Sequence, residues 1–180
     1  AWIERQVVRL RNVIPPGKLL TITDGSVIPF MGRELDVKVV HGSVKRAYRV
    51  DEKLTLVLPG SDNPDELTRM AESWYLREAK AYLPRRTREL AAAHSHLLPA
   101  PSSVNIRKMK RRWGTCHTGG AIWLNRELMK KDPELIDYVI IHELCHLVHH
   151  NHGKDYYTLL GRIVPDFREL RRRLQEQAAL

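Results

Sequence analysis

The sequence predicts an α+β fold, because strand-like and helix-like patterns occupy different stretches of the chain. Residues 26–59 consist of short apolar runs separated by turn residues, which is typical of an antiparallel β-meander. Residues 63–98 and 132–177 instead carry helix start signals and helical spacing of apolar residues. Between these two helical stretches, residues 103–125 predict a small antiparallel sheet.

The composition is that of one globular domain, or of one domain with a small appendage. The 180 residues are 43% hydrophobic and 28% charged, a balance that excludes disordered and collagen-like classes. No apolar run approaches the ~20 residues that span a bilayer, and no charged-then-apolar leader opens the chain. Two cysteines, Cys116 and Cys145, are too few for a disulfide framework, so we expect a reducing cytoplasm. Because the sequence starts at Ala1 and not at methionine, we expect a trimmed or partly ordered product.

The chain is strongly basic. Thirty Lys and Arg residues against 21 Asp and Glu residues give a net charge of +9. Such an excess attracts anions, so nucleic acid, phosphorylated metabolites and acidic proteins are candidate partners. The equally weighted alternative is a basic surface that serves only solubility. The densest basic clusters lie at residues 107–112 and 168–173, and no recognised nucleic-acid-binding motif accompanies them.

The N-terminal part is predicted to combine one helix with the meander. Residues 2–13 have helical apolar spacing, which the Pro-Pro-Gly sequence at residues 15–17 interrupts. A linker-like segment follows the meander at residues 59–64, so we expect a boundary between residues 1–60 and residues 61–180. The strands of the meander are expected at residues 27–30, 34–40, 46–50 and 54–58.

The C-terminal part is predicted to be mostly helical. Asn63 is a suitable N-cap for the first helix, and Pro84 should kink or restart that helix. Asp132 is the expected cap of the next helix, which should continue to about residue 149. Two shorter helices are expected at residues 154–163 and 166–177, strands at residues 103–109 and 121–125, and a loop at residues 114–120.

One motif predicts the chemistry of the protein. It is a His-Glu-x-x-His pattern that consists of His142, Glu143 and His146. Residues four apart on a helix project to the same side, so both imidazoles can reach one metal ion. Glu143 lies beside the first ligand, where it can accept a proton from a metal-bound water. The same helix has an apolar stripe opposite these residues, which suits the floor of a cleft. The alternative is a surface helix with incidental histidines.

A catalytic zinc site needs a third protein ligand and one open position, and three histidines follow the motif. His149 shares the face of the pair, but residues seven apart are separated by about 10 Å along a straight helix. His150 points to the opposite side of such a helix. Asn151 and Gly153 favour a reversal of the chain, which would deliver His152 to the metal. We therefore predict His152 as the third ligand.

Several further segments accompany the motif, namely Arg112-Trp113-Gly114-Thr115-Cys116, Leu124-Asn125, Asp137-Tyr138-Val139 and Asn151-His152-Gly153. In combination with the motif, they resemble the YgjP-like metallopeptidase domain family, a relative of the SprT-like and WLM metallopeptidases, over roughly residues 28–174. The resemblance implies a zincin-like α+β domain whose catalytic base is Glu143. Its zinc ligands would be His142, His146 and His152. A polypeptide substrate is also implied, with the strand at residues 121–125 forming the rim of the cleft and offering its edge to an extended peptide.

Three residues around the predicted rim strand are candidates for substrate binding. Arg112 and Trp113 precede the strand and Asn125 ends it. A guanidinium group is a forked donor that suits a carboxylate or a phosphate. The alternative is a structural arginine beside a packed tryptophan.

Four other side chains near the motif have two interpretations each. Cys116 and His117 are possible further metal ligands, although a buried thiol and a solvated histidine are favoured. Tyr156 and Tyr157 are possible donors to a developing oxyanion, although an aromatic core beneath the site is favoured.

The leading functional hypothesis is a zinc-dependent hydrolase, most simply a metallopeptidase. The same three imidazoles can also bind manganese, cobalt or nickel. The first alternative is a metal-dependent nucleotide pyrophosphatase, because an activated water also attacks phosphorus and the basic cluster favours polyphosphates. The second is a basic nucleic-acid-binding module with a vestigial metal site, which predicts DNA affinity that falls steeply with salt. None of these alternatives involves a membrane.

Overall fold

The computed structural model describes residues 21–60 and 63–177, so the helix expected at residues 2–13 lies outside the described residues. The mixed α+β class is confirmed. In chain order the elements are β1 (Val27–Phe30), β2 (Arg33–His41), β3 (Arg46–Val50), β4 (Lys53–Leu58), α1 (Pro64–Ala93), β5 (Ser103–Arg107), β6 (Gly114–Cys116), β7 (Ala121–Asn125), a 3-10 helix (Arg126–Lys130), α2 (Pro133–Cys145), α3 (Lys154–Ile163) and α4 (Phe167–Glu176).

The first sheet has the strand order β1-β2-β4-β3, and β2 runs parallel to β4. The expected antiparallel meander is therefore wrong in its strand order, although all four strands occur where they were expected. The physical reason lies in β4, which is buried at five consecutive residues from Leu54 to Leu58. A strand that is buried on both faces belongs in the middle of a sheet, so β4 inserts between β2 and β3.

The second sheet has the order β5-β7-β6, with β5 parallel and β6 antiparallel to β7. The expected small antiparallel sheet is therefore mixed, and the expected loop at residues 114–120 begins with a strand. Ile122 and Leu124 of β7 lie on the same face of the sheet and are fully buried. Because both edges of β7 are paired, the expectation that residues 121–125 offer a free edge to an extended peptide is wrong, and β6 is the edge strand beside β7.

Helix α1 begins as expected, because the Asn63 side chain accepts a hydrogen bond of 2.9 Å from the backbone N–H of Asp65. The helix then runs for 30 residues without the restart expected at Pro84. A proline in a helix deprives the carbonyl four residues earlier of its partner, which here is the carbonyl of Lys80. Lys80 is exposed, so water can satisfy that carbonyl and the helix continues.

One buried apolar cluster includes residues from both sheets and from each of the four helices in the described part of the chain. Helix α2 lies within it and contacts the other three helices as well as β6 and β7. Its predicted apolar stripe is buried, with Ile136, Ile140 and Leu144 all fully inaccessible. The boundary proposed between residues 1–60 and 61–180 falls in the link between β4 and α1 and stays a prediction. None of the described helices is both long and apolar enough to cross a membrane.

Candidate metal centre

Three imidazoles converge at the C-terminal end of α2. The Nε2 atom of His152 lies 3.1 Å from Nε2 of His146 and 3.2 Å from Nε2 of His142. Tetrahedral zinc with Zn–N bonds near 2.1 Å separates two nitrogens by about 3.4 Å, so the spacing fits one ion. Within residues 21–60 and 63–177, these three histidines form the one group of His, Cys, Asp and Glu side chains with metal-ligand spacing.

The chain reversal after α2 brings the third histidine to the first two. The helix ends at Cys145, earlier than expected, and His146 is its C-cap. The following turn is closed by a 3.0 Å bond from the His149 N–H to the Cys145 carbonyl, and α3 begins at Lys154. The imidazoles of His149 and His150 do not belong to the converging group. The structure therefore brings together the three histidines that were predicted as ligands.

The Nδ1 atoms of two of these histidines also have partners. Nδ1 of His146 lies 3.0 Å from the carbonyl oxygen of His149. Nδ1 of His142 lies 2.7 Å from the hydroxyl of Tyr156, which also donates to the His142 carbonyl at 3.1 Å. Such partners orient metal-binding imidazoles and set their tautomers.

The sequence predicts that Tyr156 is an aromatic core residue or a hydrogen-bond donor to an oxyanion. It does not predict the contact of Tyr156 with His142. The residue is fully buried, as the core interpretation predicts, but its hydroxyl is hydrogen-bonded. Burial raises the pKa of this hydroxyl above its usual value. His152 precedes α3, which begins at Lys154, and His142 lies on another helix, so helical spacing does not predict this contact.

Glu143 is buried beside β6, with 6% of its surface exposed. Burial raises the pKa of its carboxyl to about 8, while the positive charge of Arg112 and a backbone hydrogen bond from Cys116 act in the opposite direction. Burial also lowers the pKa of His142 well below its usual value. His142 is therefore neutral, the form in which imidazole binds metals.

Gly114 is a site residue that sequence reasoning missed. A Cβ atom at this position would lie 2.6 Å from Cγ and 2.7 Å from Oε1 of Glu143. Only a glycine leaves room for the Glu143 side chain against β6. A glycine inside a strand is the signal that could have indicated this close approach.

Arg112 and Trp113 directly precede β6, and their side chains lie in different surroundings. Arg112 is exposed, and its charge reaches the Glu143 carboxyl. Trp113 is half-buried, and the Lys131 ammonium lies 5.3 Å from the centre of its ring. Of the two, Arg112 is therefore the side chain that is available to a bound molecule beside Glu143.

Asn125, the third predicted substrate-binding residue, is fully buried. Its Nδ2 donates to the carbonyls of Met109 and Arg112 at 2.9 and 2.8 Å, and its Oδ1 accepts from the N–H of Glu127 at 3.2 Å. The side chain thus ties the segment that carries Arg112 to the end of β7. Its polar atoms are occupied by the backbone.

The sequence profile of the YgjP-like metallopeptidase domain matches residues 1–177. The chain belongs to this family. The resemblance that the motifs indicated is thereby confirmed, and the converging histidines described above belong to a YgjP-like metallopeptidase domain.

Two solved structures are similar to this YgjP-like domain at low sequence identity. The metallopeptidase zymogen abylysin of Pyrococcus abyssi is 20% identical with a TM-score of 0.47, and the match covers 53% of this chain and 93% of that chain. The zymogen jannalysin of Methanocaldococcus jannaschii is 20% identical with a TM-score of 0.46, covering 53% and 95%. No curated protein sequence matches the chain significantly.

Proposed function

We propose that the protein is a zinc-dependent metallopeptidase with His142, His146 and His152 as metal ligands and Glu143 as catalytic base. The observation that carries this proposal is the convergence of three imidazole nitrogens within 4.8 Å of one another, at the end of a helix that also presents a buried glutamate. Three imidazoles with an open fourth position suit zinc better than they suit the oxygen-preferring metals. When bound, zinc supplies a Lewis acid that polarises a carbonyl and acidifies a water.

Glu143 moves the proton in this proposal. Its carboxylate takes a proton from the attacking water and returns it to the nitrogen of the leaving amine. Its close contact with Gly114 and the backbone hydrogen bond from Cys116 restrict the positions that the carboxylate can take. A base held in this way needs little rearrangement when substrate arrives.

The edge of β6 is the docking strand that we propose for an extended polypeptide. Asn125 N–H donates to the Trp113 carbonyl across the β6–β7 pair, so the backbone groups of the next residue, Gly114, point away from β7. A peptide that adds to this edge as a further strand would run directly beside Glu143. Arg112, exposed two residues before β6, would contact an acidic group of such a peptide.

Asn125 has an indirect role in this proposal. Because it fixes the carbonyls of Met109 and Arg112, it holds the segment that leads into β6. We therefore assign substrate contact to Arg112 and support of that segment to Asn125.

Product detection by mass spectrometry tests the proposed activity. Zinc-loaded protein is incubated with unfolded, carboxymethylated polypeptides and with ATP, in parallel with the Glu143→Gln variant. We expect new peptides from the wild type and a loss of about 100- to 10,000-fold in the variant, which retains its zinc. Equal turnover by the variant would contradict the role of Glu143. Release of AMP without new peptides would contradict the peptidase assignment and indicate a pyrophosphatase.

The compartment that we propose is the cytoplasm. Both cysteines are free thiols, Cys116 on β6 and Cys145 on α2. Thiols that stay unpaired are typical of a reducing environment.

A further inference from the structure

The hydroxyl of Tyr156 contacts two atoms of the same residue on the neighbouring helix. It lies 2.7 Å from Nδ1 and 3.1 Å from the carbonyl oxygen of His142. The tyrosine is fully buried on the first turn of α3, and its ring stacks on His146 with 4.7 Å between the ring centres. Neither contact is needed to fill the core, because a phenylalanine would occupy nearly the same volume.

The number of available hydrogens determines which atom donates in each of these two hydrogen bonds. A neutral tyrosine hydroxyl has one hydrogen, and a carbonyl oxygen can only accept. The hydrogen bond to the His142 carbonyl therefore uses the Tyr156 hydrogen. The hydroxyl oxygen is then the acceptor toward Nδ1, so Nδ1 of His142 carries the imidazole proton. Its Nε2 is left with a lone pair that points toward the other two histidines.

We infer that Tyr156 is a positioning residue that holds His142 in the Nδ1–H tautomer and so directs its Nε2 lone pair to the metal. The inference rests on the proposed metal site. His146 obtains the same tautomer from a different partner, since a backbone carbonyl at His149 can only accept from its Nδ1. One side-chain hydroxyl and one backbone carbonyl thus prepare two of the three ligands before any metal binds.

The tautomer of His142 is measurable in the metal-free wild type without any substitution. Two-bond ¹⁵N–¹H correlation spectra distinguish a protonated ring nitrogen from an unprotonated one. At about pH 8, above the usual histidine pKa of about 6.5, we expect a protonated Nδ1 and an unprotonated Nε2 for His142. A dominant Nε2–H form would overturn the inference.

The Tyr156→Phe variant tests the consequence for metal binding, with Tyr157→Phe as the matched control. Tyr157 is the adjacent tyrosine, is only half-buried, and packs its ring against Phe167 at 5.8 Å. We expect zinc affinity, measured by competition with a chromophoric chelator, to fall about 10- to 100-fold in Tyr156→Phe. We expect it to be unchanged in Tyr157→Phe. In the same spectra, Tyr156→Phe should show a mixture of both His142 tautomers.

The possible outcomes separate this inference from the proposed function. A wild type that binds no zinc would remove the proposed metal site itself. A wild type that binds one zinc, beside a Tyr156→Phe variant of equal affinity, would overturn the role of Tyr156 and leave the metal site in place. A loss of affinity in Tyr156→Phe with an unchanged tautomer would mean that the hydroxyl supports the fold and not the tautomer, which also overturns the inference.

Discussion

The two sheets share one arrangement but differ in what they contact. Each sheet contains a parallel pair of strands that do not follow one another in sequence, β2 with β4 and β5 with β7. In the first sheet, β3 and β4 pack on α1. In the second sheet, β6 and β7 pack on α2, the helix at whose C-terminal end the histidines converge. The same kind of sheet therefore supports the fold in one region of the molecule and forms part of the candidate site in the other.

The edge strands show the same difference. One outer strand of the first sheet, β3, contains Tyr48 and Val50, which are 39% and 57% exposed. One outer strand of the second sheet, β6, is half-buried along its length because Glu143 packs against it. We therefore expect substitutions in the first sheet to change stability alone and substitutions around β6 to change catalysis.

The largest effect should follow from His152→Ala. Removal of a ligand should lower zinc affinity by more than the roughly 10- to 100-fold that loss of a ligand's supporting partner causes. We expect the variant to lose its bound zinc during chelator competition. His150→Ala, at an exposed position outside the converging group, is the control and should bind as the wild type does. Equal binding by both variants would remove His152 from the metal site.

Leu56→Ala probes the supporting sheet. Leu56 is fully buried in β4, so its truncation should lower the free energy of unfolding by about 2–5 kcal/mol. Chemical denaturation of the metal-free protein measures this loss, with the partly exposed Val40→Ala expected to stay within about 0.5 kcal/mol of the wild type. Zinc affinity of folded Leu56→Ala should be unchanged. A weakened site would show that the two regions are not separable.

Gly114→Ala probes the strand that forms part of the site. The added Cβ would displace Glu143, and a misplacement of about 1 Å lowers catalytic efficiency by about 100-fold. We expect kcat/KM for peptide hydrolysis to fall by this order while zinc stays bound. Gly119→Ala is the control, because no atom lies within 4 Å of its added Cβ. Unchanged kcat/KM in Gly114→Ala would mean that Glu143 does not need its present position.

The smallest effect should come from the ion pair between Arg86 of α1 and Asp137 of α2. Arg86 donates from Nε and Nη2 to the two carboxylate oxygens of Asp137 at 2.8 and 2.6 Å. The pair is partly exposed, so we expect Asp137→Asn to lower the free energy of unfolding by about 1 kcal/mol. Glu176→Gln, which alters an exposed pair within α4, should have an effect of at most about 0.5 kcal/mol. Equal effects of the two variants in denaturant titrations would show that the Arg86–Asp137 ion pair stabilises the fold no more than an exposed ion pair does.

Local signals in the sequence predicted most of the helices and the core of the site. Asn63 caps α1, and the short helices α3 and α4 occur where expected. The chain reversal delivers His152 to the other two histidines as predicted, but it does so without a left-handed conformation at Asn151 or Gly153. These features depend on residues a few positions apart, and periodicity and capping describe such relations directly.

Features that depend on pairing between distant segments were not predicted. The position of β4 inside the first sheet follows from burial of both its faces, which alternation along one strand does not reveal. The place of Gly114 against Glu143 depends on β6 pairing with β7 and packing on α2. The contact between Tyr156 and His142 similarly joins two helices across the chain reversal.

X-ray absorption spectroscopy of the zinc-loaded protein tests the central claim most directly, because it reports the atoms around the metal. We predict one zinc per chain with three imidazole nitrogens at about 2.0–2.1 Å and no sulfur ligand. A sulfur scatterer at about 2.3 Å, or fewer than three imidazoles, would contradict a site built from His142, His146 and His152.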